Sequence, residues 1–388
     1  MILFLIANRA LKICTFGHVL FVDNTYFCNT AYCRTLIYYK SLTMKRNINL
    51  VLSLAISALL LSCSSNGDEA SVIDFDGLAS ADYSNLLPVL DTIDLNDAEA
   101  QSSMLSSLDK IIYSDGVFYA GDYGQGRIVG FSSAGEPLFS ISARGRGPQE
   151  YLKITDFDVD ENKRIVIMDG QSDRILTYSE DGSFLNTLSL PFEAYSFKTI
   201  ESERLLFNLA PWNEGKGAGK KLAIMTTDCE VSQTWIDYDG VFDCEFSFQS
   251  VAFTSSNDDI TFNQPIDNQI IILDTKGEIS SSFQMDFGSG NVPVEARKHI
   301  ENNWEVVQSS TFLTNVVYSD GHIIVGTLKD HGKMRDFIIN LDSGVKGLQE
   351  TGSSIRLRNV SGGMLIFQDF SSDHIKLLVA PVSAIAAR

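Results

Sequence analysis

Positive charge is scarce in this sequence: 30 Lys and Arg stand against 49 Asp and Glu in 388 residues, a formal net charge of −19. Nucleic-acid binding needs clustered cations that displace counterions from phosphates, so that class of partner is excluded. Zinc chemistry lacks its usual ligands, because no CxxC pair and no Cys/His cluster is present. HExxH and GxSxG are also missing, which leaves zincin and serine-hydrolase mechanisms without local support. No apolar run reaches the roughly 20 residues that a membrane-spanning helix requires. Helical periodicity is nearly absent after residue 115. What the chain does contain, 44% hydrophobic residues with 24 Phe and 13 Tyr, excludes wholesale disorder.

The amino-terminal part reads as targeting sequence. Lys45 and Arg46 form a basic start after Met44, and an apolar run from Leu50 to Leu61 follows. That run has signal-peptide dimensions. It ends in Leu60, Leu61, Ser62 and Cys63, which resembles the lipobox of bacterial lipoproteins. The resemblance implies that Cys63 is acylated through its thiolate and that Ser64, the next residue, favours the outer membrane. On this reading residues 1–43 are an upstream extension that is not part of the native protein and 44–62 the signal peptide. Residues 63–86 are then the lipidated cysteine with a polar tether, and 87–388 the folded domain. Residues 1–63 hold six basic side chains and one acidic one, so the exported part is more acidic than the whole. Removing them leaves Cys229 and Cys244, which outside the cytoplasm either form one disulfide or remain two small apolar residues.

From residue 115 onward, turn signals alternate with short β-rich runs. The clearest unit spans 154–190 and divides into strands at Ile154–Val159, Arg164–Asp169, Arg174–Ser179 and Phe184–Leu190, separated by Asp, Asn, Gly and Ser. Its two middle strands recur six times, beginning near Val117, Ile165, Arg204, Asp259, His322 and Met364, at uneven intervals that average about 49 residues, within the 40–50 of propeller blades. The third and fifth copies are expected to carry longer hairpin loops. The sixth copy, 355–382, supplies only three strands, so a strand within Pro88–Leu95 is expected to complete it and close the ring. The expected fold is thus all-β: a six-bladed β-propeller of four-stranded antiparallel blades, closed by an amino-terminal strand. One helical insertion is expected at Val294–Val307, behind Pro293.

The runs from Ser107 to Pro148 and from Gly145 to Leu185 resemble NHL-type repeats, especially those of six-bladed propeller lipoproteins of Bacteroidetes. The resemblance implies the fold and an envelope location and leaves the activity open.

Candidate site residues are few. Asp156, Asp158 and Asp160 alternate along one strand and so share a face, where their oxygens would suit calcium or would line a water-filled channel. Arg144 and Arg146 lie in a glycine-rich crossing between blades and would grip a carboxylate or sulfate, or pair with neighbouring acids. Trp212, beside a glycine-rich loop, is the tryptophan expected to be exposed; Trp235 and Trp304 are expected to fill gaps. The stretch from Glu214 to Lys221 lacks the first glycine and the final Ser/Thr of a phosphate loop. The four histidines of the folded part are isolated and read as surface or turn residues. The function expected is a monomeric, non-enzymatic binding or scaffolding module on the outer membrane that needs no cofactor and takes a protein, peptide or glycan. The alternative is a divalent-metal-dependent lactonase- or lyase-like enzyme.

Overall fold

The computed structural model describes residues 70–95 and 105–386, except 202, 241–242, 244–245, 247–250 and 257–258. Glu69–Arg388 is one compact unit. The signal peptide, Cys63 and Cys244 lie outside the described residues.

Three short strands come first: β1 (Ser71–Asp74), β2 (Ala79–Asp82) and β3 (Asp91–Asp94), with one helical turn, α1 (Tyr83–Leu86), before the third. Blade 1 is β4 (Lys110–Ser114), β5 (Val117–Asp122), β6 (Arg127–Ser132) and β7 (Pro137–Ile141). Blade 2 is β8 (Ile154–Val159), β9 (Ile165–Asp169), β10 (Arg174–Tyr178) and β11 (Phe184–Ser189), within a residue of the strands expected. Blade 3 is β12 (Ala194–Ile200), β13 (Arg204–Leu209), β14 (Lys220–Met225) and β15 (Val231–Asp237). Blade 4 is β16 (Phe253–Ser256), β17 (Asp259–Asn263), β18 (Gln269–Asp274) and β19 (Ile279–Asp286). Blade 5 is β20 (Thr311–Ser319), β21 (Ile323–Asp330), β22 (Lys333–Asn340) and β23 (Val345–Leu348). Blade 6 is β24 (Ile355–Ser361), β25 (Met364–Asp369) and β26 (Lys376–Pro381), with β3 as its fourth strand.

β3 pairs antiparallel with β26, Ile93 opposite Leu377, and so closes the ring as expected. The first two strands were not foreseen. β1 adds in parallel to β19, and β2 adds in parallel to β23, giving blades 4 and 5 a fifth strand. The polar tether expected over 63–86 is therefore structured from Ser71 onward. Phe75 anchors it, buried against Phe287 and Phe337, and the Lys346 ammonium sits 4.3 Å from the Phe75 ring centre.

The core consists of slabs between neighbouring blades, because side chains alternate across each strand. In β9, Ile165 and Ile167 pack toward blade 1 while Val166 and Met168 pack toward blade 3. Both faces are buried, so the strand reads as a continuous apolar run. Tight turns join the strands where φ is positive, as at Asp115-Gly116 (46° and 86°) between β4 and β5. The fifth copy differs from expectation. Its additional residues lengthen β21 and β22 to eight residues each, joined by a tight turn at His331-Gly332.

The expected single helix is broken. α2 (Val294–Lys298) stops at His299, whose φ of −145° and ψ of 75° are not helical. A 3₁₀ turn at Glu301–Asn303 leads into α3 (Trp304–Ser309). The Ile300 N–H donates to Asp243 Oδ2 at 2.7 Å, and Ala296, Ile300 and Val307 pack with Ile266 and Phe312. Burying Ile300 there takes precedence over helical continuity. A last helical turn, α4 (Ser383–Ala386), follows β26.

Candidate functional site

The inner strands β4, β8, β12, β16, β20 and β24 face the axis, and a cavity opens at each end of them. The smaller, about 510 Å³, is lined by the carboxyl ends of inner strands, including Ser114, Lys198 and Ser361. The larger, about 960 Å³, is lined by their amino ends and by the long connections around Phe246 and Arg297. Its volume is at the upper end of the range for small-molecule sites.

Bulges build the larger mouth. β8, β12, β20 and β24 each break register at the same level, leaving Thr155, Tyr195, Thr314 and Arg358 as the additional residue. All four line the large cavity. A bulge re-aims side chains that a regular ladder would alternate away. Here it brings polar groups to the mouth four times over.

The sequence-derived candidates fare unequally. Trp212 lines the large cavity, 45% exposed and edge-on to Tyr195 with ring centres 5.1 Å apart. Trp304 is also exposed, at 42%, contrary to expectation, and packs on Phe246. Trp235 is half-buried in the slab between blades 3 and 4. Arg144 and Arg146 are exposed on the crossing to blade 2 and border neither cavity. That crossing is organised by Glu150, which accepts the Gly147 N–H at 2.7 Å. Cys229 is a free thiol in the turn between β14 and β15. The four histidines among the described residues, His299, His322, His331 and His374, are exposed.

The three aspartates are each engaged by protein donors rather than gathered around one point. Asp156 Oδ1 accepts from Lys110 Nζ at 2.8 Å, and its other oxygen accepts the Phe197 N–H at 3.0 Å. Asp158 holds Lys198 Nζ at 2.8 Å and the Thr199 N–H at 2.8 Å. Asp160 lies beyond the strand, binding Arg164 Nε at 2.6 Å and capping its own turn. Two of the three thus share a face, but each is committed to protein donors. Among the described residues no group of three or more acids, histidines or cysteines is placed to hold a metal. Burial raises the Asp156 carboxyl above its ordinary value despite Lys110. Burial pushes Asp158 the same way, but Lys198 and Lys110 outweigh it and hold this carboxyl low.

Hydrogen-bonding groups that single residues did not reveal converge at the large mouth. Gln264 Nε2 donates to Asn208 Oδ1 at 2.8 Å and to the Tyr238 hydroxyl at 3.0 Å. Tyr238 gives its own proton to Leu209 O at 2.6 Å, so toward Gln264 it only accepts. That fixes the amide orientation and leaves Gln264 Oε1 without a partner. Asn315 Oδ1 and Ser196 Oγ in the same cavity also lack partners. Ser196 and Asn315 follow their bulges directly, as Asp156 and Asn359 do, so superposing the inner strands of the repeats is the signal that would have found them. At the rim Met334 and Phe370 stand 40% and 54% exposed.

Six blades of four antiparallel strands in a closed ring, two of them extended by a parallel fifth strand, with cavities at both ends of the axis, define a six-bladed β-propeller. The chain belongs to the DUF5128 family, described as a 6-bladed beta-propeller, which matches residues 62–321. Among solved structures it is similar to a protein from Bacteroides fragilis described as exported: TM-score 0.64, 14% identity, covering 80% of this chain and 99% of the other. A member of the DUF4221 family from Bacteroides vulgatus aligns with TM-score 0.53 and 10% identity over 76% and 96% of the two chains. A virginiamycin B lyase from Staphylococcus aureus aligns at 0.42 and 14% identity over 70% and 81%, too loosely to bear on activity. No curated protein sequence matches the chain.

Proposed function

We propose that this protein is an envelope-anchored binding module that takes its ligand in the large mouth of the propeller. The carrying observation is the exposed apolar trio Trp212, Met334 and Phe370 on a cavity of about 960 Å³. Exposed apolar side chains gathered at a concave polar mouth mark a ligand site rather than ordinary surface. The ring holds this mouth rigidly, because each wall strand belongs to a blade with both faces buried.

The anchor in this reading is acylated Cys63, which leaves the propeller tethered to the outer membrane as a single ring. Among the described residues no helix is long and apolar enough to cross a membrane. The description of the Bacteroides fragilis protein as exported agrees with this location. The metal-dependent lactonase- or lyase-like alternative gains nothing from the geometry, since Lys110, Lys198 and Arg164 occupy the aspartates it would use.

The test is a ligand screen by thermal shift on Glu69–Arg388, with peptides, organic acids and sugars, repeated on Trp212→Ala/Phe370→Ala. The expected result is a ligand that raises the melting temperature of the native protein and not of the variant. Ligands that act equally on both would place binding elsewhere and overturn the reading.

A further inference from the structure

The chemistry of the large mouth, taken as the binding site argued above, points to a neutral oligosaccharide as its ligand. Three observations converge on that class.

First, the cavity's acids are already met. Asp156 is paired with Lys110 and Asp267 with Lys221 at 2.5 Å. Asp109 accepts the Tyr123 N–H at 2.7 Å, Asp243 the Ile300 N–H at 2.7 Å and Asp336 the Leu357 N–H at 2.8 Å. The lining also carries Lys153, Arg297, Arg356 and Arg358, so a strongly acidic protein has a mouth in which acids and cations nearly balance. With five acids against four cations the lining favours neither sign strongly, and a neutral ligand has no charge to desolvate there.

Second, the buried side-chain atoms of the mouth that lack a partner are neutral. They are the amide oxygens of Gln264 and Asn315 and the hydroxyl of Ser196, whereas the bulge hydroxyls of Thr155 and Thr314 are already engaged with Met168 O and Thr327. Gln264 and Ser196 are each only 4% exposed, so an unmet atom there costs free energy until a donor arrives. Unmet carbonyl oxygens call for donors, and sugar hydroxyls are dense donors. A peptide backbone brings as many acceptors as donors and would leave its carbonyls unmatched against these oxygens.

Third, Trp212 offers a ring for stacking. Tyr195 meets it edge-on, which fixes the indole while 45% of the residue stays exposed. The C–H face of a pyranose packs against such a ring while its equatorial hydroxyls reach sideways to amide oxygens. The cavity volume of about 960 Å³ leaves room for more than one sugar ring, with Phe370 and Met334 as further apolar platforms.

The experiment uses Glu69–Arg388 with malto-, cello-, xylo-, manno- and chito-oligosaccharides of two to six units. Oligogalacturonates and a short-peptide panel serve as the charged and peptidic arms. Binding is read by calorimetry on the native protein, Trp212→Ala and Ser196→Ala, and each variant's unliganded melting temperature reports folding. At least one neutral series is expected to bind, with roughly tenfold loss of affinity in Trp212→Ala and a smaller loss in Ser196→Ala, at little change in melting. Trp212-dependent binding of peptides or oligogalacturonates without any neutral sugar would overturn the sugar assignment and leave the mouth as the site. Binding of neutral sugars that ignores both substitutions, or no Trp212-dependent binding by any class, would overturn the assignment together with the reading of the mouth.

Discussion

Lys110 Nζ and Asp156 Oδ1 are 2.8 Å apart with their side chains only 4% and 7% exposed, joining the inner strands of blades 1 and 2. The other oxygen of Asp156 accepts the Phe197 N–H of blade 3, so one carboxylate links three consecutive blades. Removing one member of a buried pair leaves an uncompensated charge, whereas removing both does not. Lys110→Met is therefore expected to cost about 3–5 kcal/mol in urea denaturation. Lys110→Met/Asp156→Asn is expected to recover much of that loss, because the amide oxygen introduced by the second substitution still accepts the Phe197 N–H. Strictly additive costs would show that the two residues are not coupled.

Asp336, in the wall of the large mouth, carries a pH signature. Burial pushes its carboxyl up from 3.8 to about 6, against the pull of the Leu357 N–H and Arg356. The folded protein then holds this proton more tightly than the unfolded chain does. The stabilisation is complete below the unfolded value and is lost as pH rises through about 6. Between about pH 4 and 7 the native protein should lose up to about 3 kcal/mol relative to Asp336→Asn, which does not titrate. Parallel stability curves for the two proteins would contradict the assignment.

Phe75 anchors the two parallel strands that precede the ring. Its ring centre is 5.0 Å from that of Phe287 and 6.5 Å from that of Phe337, in the slab between blades 4 and 5. Phe75→Ala should cost about 3–5 kcal/mol. Deleting residues up to Asp82 should in addition bare the outer edges of β19 and β23 and promote aggregation. Unchanged stability and solubility on deletion would mean that these strands merely rest on the ring.

Cys63→Ala tests the anchor. The native protein expressed in a Bacteroides host should partition with membranes and incorporate labelled fatty acid, and the variant should do neither. Fatty-acid labelling that survives the substitution would refute acylation at Cys63.

The ring was legible in the sequence because its strands are local. The units of blade 2 are separated by turn residues that announce themselves, and the apolar run Ile165–Met168 already implies burial on both faces. β1 and β2 escaped because SVID and ASAD are short, mostly exposed and paired with strands more than 200 residues away. Trp212 was legible from its glycine-rich neighbourhood. Asp156 and Asp158 sit on one strand as their alternation implies, whereas Asp160 falls beyond its end, and the partners Lys110 and Lys198 lie 46 and 40 residues away in sequence and give no sign of themselves there. The bulges at Thr155, Tyr195, Thr314 and Arg358 leave no single-residue signature, since a bulge is a property of pairing. They were the missing step between strand and site.

The most direct test of the large mouth as the binding site uses its own tryptophan as reporter. With Trp235→Phe and Trp304→Phe, Trp212 is the only indole left in the protein. Titrating this variant with the neutral oligosaccharide that binds best should shift and change its emission saturably, at the midpoint found by calorimetry. Calorimetric binding that leaves Trp212 emission untouched would mean that the ligand sits elsewhere on the propeller.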